Sequence, residues 1–123
     1  MKIIEAINRL DALRPNTYTF QEKLAWLSAL DGMVFEKIIK THEGAAIESF
    51  EGYTDQNDTE RELLIPSPYD EAYIHWLCAK VDYYNGESAK YANSSAQYNA
   101  VFGEYSRWYN RTHMPIGTKI KVF

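Results

Sequence analysis

Apolar residues recur along most of the chain at the three-to-four spacing of an amphipathic helix. In residues 2–14, Ile3, Ile4, Ile7, Leu10 and Leu13 share one side, with Glu5, Asn8, Arg9 and Asp11 opposite. Arg14-Pro15-Asn16 ends this short helix, because proline lacks a backbone donor and fixes φ. Phe20, Leu24, Leu27, Leu30, Val34 and Ile38 then continue the period and predict a second helix from about Phe20 to Thr41. Thr19 and Glu22 fit a capping box at its start, and Tyr18 precedes the cap where a hydrophobic staple would sit. Gly32 is a weak point in that helix or a site of close contact.

The stretch from Pro68 to Thr112 organises the rest. It holds Tyr69, Tyr73, Tyr83, Tyr84, Tyr91, Tyr98, Tyr105 and Tyr109 of the 10 tyrosines, together with Trp76 and Trp108. Tyr73, Trp76, Leu77, Lys80, Val81 and Tyr84 form one helical face, with Asp70 and Glu71 suited to the positive end of the helix dipole. Asn85-Gly86 is a stop signal, since both residues tolerate left-handed backbone. A second helix restarts at Ser88 with rows at heptad spacing: Tyr91, Tyr98 and Tyr105; Ser95, Phe102 and Tyr109; Val101 and Trp108. Small Ala92, Ser94, Ser95 and Ala96 allow close approach near the turn, with larger rings spreading the helices toward Trp108. The pattern predicts an antiparallel αα-hairpin, and the first two helices predict another. The expected fold is all-α: a compact bundle of about four helices, with the helical domain spanning residues 1–113.

Two segments break the helical period. Residues 43–68 carry Glu43, Glu48, Glu51, Asp55, Asp58, Glu60 and Glu62 against Arg61 alone. A connection this long in so small a domain has a job or is mobile, and Glu62–Ile65 is its best strand candidate. In the tail, residues 114–123, Ile116, Thr118, Ile120 and Val122 alternate with Gly117, Lys119 and Lys121. Such alternation is a strand pattern that needs a partner, in this chain or on a neighbouring molecule.

The aromatic content also carries an inference about assembly. Most of the rings belong in a core. Tyrosine hydroxyls on two faces of one helix are hard to satisfy inside 123 residues, so the surplus rings should line a surface shared with another subunit. The candidate interface aromatics are Tyr83, Tyr91, Tyr98 and Trp108.

Composition narrows the function classes. One domain with one modest core fits the length, and no apolar run approaches the roughly 20 residues of a membrane span. An early acid at Glu5 argues against a signal peptide, so a cytoplasmic protein is expected. The net charge of −4 disfavours simple nucleic-acid binding. Cys78 stands alone and reads as a small buried hydrophobe. His42, His75 and His113 lack a metal-ligand spacing; His42 reads as a helix-end cap and His75 as a surface position. Asp55 to Glu60 superficially suggests a calcium loop but lacks the required glycine and the distal bidentate glutamate. No nucleophile elbow or phosphate loop is present, and neither a cofactor nor an enzymatic activity is expected.

Several of these residues together resemble a known family. The run from Glu62 to Asp70, then Tyr73, Lys80 to Glu87, Tyr91, Asn93, Ser94, Tyr98, Asn99 and the closing Trp108 to Pro115 is similar to the small head–tail connector (adaptor) proteins of long-tailed phages and prophages. The likeness spans about Leu24 to Pro115, with Cys78 and Gly103 standing where such sequences carry bulkier helix formers. It implies a ring of identical copies under the portal vertex, in the virion neck, assembled in the bacterial cytoplasm. Such a ring would bridge the portal protein to a neck or tail-completion protein, and DNA would pass through its centre. In that setting Glu48, Glu51, Asp55, Asp58 and Glu60 would face the channel and repel phosphates. Ile116, Thr118, Lys119, Ile120, Lys121, Val122 and Phe123 would bind a partner. The alternatives are a monomeric helical binding module whose tail recognises one partner, and an enzyme using His42 or the acidic loop.

Overall fold

A computed structural model of the chain describes residues 1–45, 47–54 and 57–116. Four α-helices run in order: α1 (Ile3–Leu13), α2 (Phe20–Val34), α3 (Glu71–Tyr84) and α4 (Ser88–Thr112). The fold is an all-α bundle, and among the described residues there is no sheet.

The helix ends follow the chemistry of the sequence. Thr19 accepts a hydrogen bond from the Glu22 amide at 3.1 Å, which fixes the start of α2. At the start of α1 the Glu5 carboxylate accepts from the Lys2 amide at 2.8 Å. Asn85-Gly86 closes α3 with Gly86 at φ +72°, in the left-handed region. The helix predicted over residues 20–41 changes pitch instead of running through: α2 passes into one π turn, Phe35–Ile39, and stops. That turn buries Phe35, Ile38 and Ile39 together.

α3 and α4 pack along each other as the expected antiparallel hairpin. α1, in contrast, packs on both α2 and α3, so the first two helices are not a separate pair. α3 is therefore enclosed by three neighbours. Ala72, Tyr73, Ile74, Leu77, Cys78, Ala79, Val81 and Asp82 are all buried, far more than the single apolar stripe implied. Of the small residues near the turn, Ser94 is buried and donates to Asp82 of α3, and Ser95 is half-buried; Ala92 and Ala96 are exposed.

The acidic connection is built into the core. Its Tyr53, Leu63 and Ile65 are buried, and Glu43, Glu48, Glu51, Asp58, Glu60 and Glu62 are exposed. Arg61 and Thr59 carbonyls accept from the Ile3 and Ile4 amides, both at 3.0 Å, so the loop caps the donors that α1 leaves unpaired. The strand expected at Glu62–Ile65 is reduced to one isolated bridge between Lys2 and Glu62. The loop has spent its backbone groups on a helix end instead of on a sheet.

Its main anchor is Asp31, a fully buried carboxylate on α2. Tyr73 donates to Asp31 Oδ1 at 2.5 Å and accepts from the Ile65 amide at 2.7 Å. Tyr53 donates to Oδ2, which also accepts from the Leu64 amide at 3.0 Å. One side chain thus joins α2, α3 and two points of the loop. Gly52 lets the loop reach α2, with φ +90° and a hypothetical Cβ only 2.7 Å from Ser28 Oγ. Ser28 Oγ in turn accepts from the Tyr53 amide at 3.0 Å.

Removing the Asp31 carboxylate strands three buried donors, so Asp31→Ala is expected to cost at least about 3 kcal/mol in urea unfolding. Asp31 also sets a pH dependence. Burial pushes its carboxyl above the usual range, outweighing the donors from Tyr53, Tyr73 and Leu64 that pull it down. A folded-state value above the unfolded one gives a contribution complete below about pH 4 and lost as pH rises through the raised value. The stability advantage of the wild type over Asp31→Asn should therefore shrink as pH rises across that window. An advantage that grew with pH would contradict the assignment.

Candidate functional site

The rings of the hairpin divide into two groups at opposite ends of α4. The first surrounds the α3–α4 turn. Tyr83, Tyr84 and Tyr91 are 61%, 57% and 40% exposed, although each is a large ring. Tyr83 contacts both Tyr84 and Tyr91, with centroids 5.3 and 5.5 Å apart. Tyr84 stacks on Trp26 at 5.8 Å, and Tyr18 closes that edge. The Tyr18 hydroxyl donates to Asn85 Oδ1 at 2.7 Å, tying the α1–α2 connection to the turn.

Between α3 and α4 these rings border a groove of about 490 Å³, with Trp76 and Tyr98 deeper inside. Trp76 is half-buried, and its indole N–H donates to the Trp26 carbonyl at 2.8 Å. Tyr98 packs against Trp76 and Phe102; its hydroxyl is enclosed and has no hydrogen-bond partner among the described residues. Burial alone pushes that phenol well above its usual value. The Lys80 ammonium sits over the Trp76 ring, 4.7 Å from its centroid, and among the described residues is the one charged group lining the groove.

A buried polar clamp keeps this end rigid. Asp82 accepts from Arg14 Nε at 2.9 Å and from Ser94 Oγ at 2.8 Å, so α1, α3 and α4 are fastened immediately beside Tyr83 and Tyr84. The Asp82 side chain is 2% exposed, which gives this pair a weight that surface ion pairs lack.

The second aromatic group lies at the other end of α4. Trp108 packs with Tyr69, Tyr105 and Tyr109 beside a recess of about 210 Å³ that Ile47 and Leu64 help to line. Trp108 is half-buried against the core, as Tyr98 is, but it does not line the groove that Tyr83, Tyr91 and Tyr98 share. Of the four aromatics predicted for a subunit face, the structure brings three together and separates the fourth.

His42 does cap a helix end, but from inside. It is buried, with Nδ1 2.6 Å from the Ile38 carbonyl and Nε2 2.7 Å from Asn110 Oδ1. Tyr109 lies between His42, edge-on at 5.1 Å, and His113, stacked at 3.8 Å. His75 is half-buried instead of free on the surface. Among the described residues no group of three or more His, Cys, Asp or Glu could hold a metal ion. No described helix is long and apolar enough to cross a membrane.

Of the acidic-loop residues, Glu48, Glu51, Asp58 and Glu60 are exposed, and Asp55 lies outside the described residues. Glu60 pairs with Lys2 at 2.9 Å and Asp58 with Arg61 at 3.9 Å. The tail root is fixed: the Glu43 amide donates to the Met114 carbonyl at 2.8 Å and the Ile116 amide to the Thr41 carbonyl at 2.9 Å. The tail therefore begins by pairing with residues 41–43, and not with residues 62–65. Ile116 is 60% exposed, while Thr118, Lys119, Ile120, Lys121, Val122 and Phe123 lie outside the described residues.

Sequence reasoning missed Lys80 as the charge inside the groove, and Tyr84 as an exposed ring. Both sit on the helical face with Tyr73 and Leu77, which are buried in the core, so the spacing alone does not separate groove from core. Comparison with known protein families, with curated proteins and with solved structures finds no match for this chain.

Substitutions should separate packing from surface. Trp76→Ala is expected to cost about 2–3 kcal/mol, below the range of a fully enclosed ring because one edge faces the groove. Tyr83→Ser should cost under about 1 kcal/mol, as an exposed position does. Urea unfolding measures both; equal losses would remove the distinction between floor and rim.

Proposed function

We propose that this chain is a non-catalytic structural adaptor, one copy in a ring of identical subunits set between a phage portal and the next neck or tail-completion protein. DNA passes through the ring without sequence-specific contact, and the ring belongs to the head–tail neck of a virion assembled in a bacterial cytoplasm. One observation carries the reading: after the core is filled, Tyr83, Tyr84 and Tyr91 remain exposed together on a rigid turn. Aromatic rings held in place at little entropic cost are what subunit joints use. The resemblance of residues 62–70, 80–87 and 108–115 to head–tail connectors supplies the setting. The net charge of −4 agrees with it, because a duplex must move past the ring without sticking.

The exposed tail root favours a second reading, a monomeric module whose tail recognises one partner. Met114 and Ile116 are 61% and 60% exposed beside a fixed anchor at residues 41–43. The two readings differ in mass. Sedimentation velocity across rising concentration, alone and with portal protein added, is expected to give a discrete many-subunit species for the adaptor. A chain that stays monomeric at high concentration with portal present would contradict the adaptor reading.

A further inference from the structure

We infer that the groove beside Tyr83 and Tyr91 receives the acidic loop of a second copy of this chain, with Lys80 of one copy facing Glu48 and Glu51 of the next. The inference rests on the adaptor reading and specifies its subunit joint.

The groove is lined by Trp76, four tyrosines and Ala79 together with polar Ser95 and Asn99, and its cation Lys80 is held over Trp76 and forms no ion pair among the described residues. An occupant must bring a counter-charge to that ammonium and an apolar surface to the rings. Residues 47–51 of the loop carry both kinds of group: Glu48 and Glu51 are exposed, and Ile47 and Phe50 pack on their own core while keeping part of their surface outside. Neither acid is ion-paired among the described residues, whereas Asp58 and Glu60 of the same loop have cations of their own.

Position decides that the contact is between copies. Ile47 shares a recess with Trp108, Tyr109 and His113, at the far end of α4 from the turn. Residues 91 and 108 are separated by about 26 Å along α4, at a rise of about 1.5 Å per residue. The course of the loop is fixed, because Tyr53 is fastened to Asp31 and Ser28 two residues after Glu51, and within one copy neither Glu48 nor Glu51 is paired with Lys80. Each copy therefore presents a cationic aromatic groove at one end and an acidic ridge at the other. Unlike surfaces that meet in this way propagate head to tail, and close into a ring when the rotation allows. Glu48 and Glu51 move by this inference from the channel wall to the subunit joint.

Charge reversal tests it, read by sedimentation velocity of the full chain with thermal melting by circular dichroism to verify folding. Lys80→Glu, and separately Glu48→Lys with Glu51→Lys, should each weaken self-association by about 100-fold or more through like-charge contact. Lys80→Gln, which loses the charge without reversing it, should weaken it less. An equimolar mixture of the two reversed variants should regain assembly with the two kinds of copy alternating, since each loop then meets a groove of opposite charge while like copies repel. All three reversals on one chain should restore the wild-type assembly. Folded reversed variants that assemble like wild type, or a folded triple variant that stays monomeric, would overturn this joint and leave the adaptor reading standing. A wild type that is monomeric with portal present would overturn both.

Discussion

The fold depends on one buried carboxylate. Asp31 has no solvent exposure and accepts from Tyr53, Tyr73 and the Leu64 amide, which belong to three separate stretches of chain. A long acidic segment has little reason of its own to lie on a helical bundle, because its charges prefer water. The Asp31 acceptor gives it one, by taking hydrogen bonds from two phenols and an amide, two of them on the loop. Once held, the loop caps α1 through its Thr59 and Arg61 carbonyls and closes the core with Leu63 and Ile65. The position of α1, and through Arg14 that of the α3–α4 turn, follows from the same anchor.

Two of the tyrosines are absorbed by Asp31, and Tyr105 and Tyr109 are absorbed by the core around α4. The remainder is what makes the surface distinctive. Tyr83, Tyr84 and Tyr91 are exposed, yet the clamp of Asp82 on Arg14 and Ser94 prevents the turn from collapsing to hide them. A rigid aromatic platform loses little freedom when a partner arrives, so most of its contact energy is available for association. The unpartnered Tyr98 hydroxyl belongs to this end as well, where one polar group has been enclosed at a cost that the packing of Trp76 and Phe102 offsets.

The sequence made the four helices readable because Ile3, Ile7 and Leu10, or Leu24, Leu27 and Leu30, repeat at a spacing that only a helix satisfies. Thr19 and Asn85-Gly86 marked boundaries through chemistry local to the backbone. What stayed hidden depended on contacts between distant residues. Asp31 reads as a polar interruption in an apolar stripe, and its partners lie 22 and 42 positions away. The loop read as a linker because its core residues, Tyr53, Leu63 and Ile65, follow no period. Trp108 and Tyr98 occupy similar helical rows, and nothing local distinguishes the ring that packs on Tyr69 from the ring that borders a groove. Lys80 stands in the sequence as the charged member of an otherwise largely apolar face, and its seat over the Trp76 ring depends on the packing around it.

The account turns on a claim about surplus: the rings left outside the core at the α3–α4 turn exist to be covered by another copy. Electron cryo-microscopy of the assembled particle tests this most directly, at a resolution that distinguishes side chains. The account expects Tyr83, Tyr84 and Tyr91 of each subunit to be covered by the neighbouring copy, with Lys80 within ion-pair distance of an acid from that neighbour. A complete ring in which those tyrosines face solvent would contradict it.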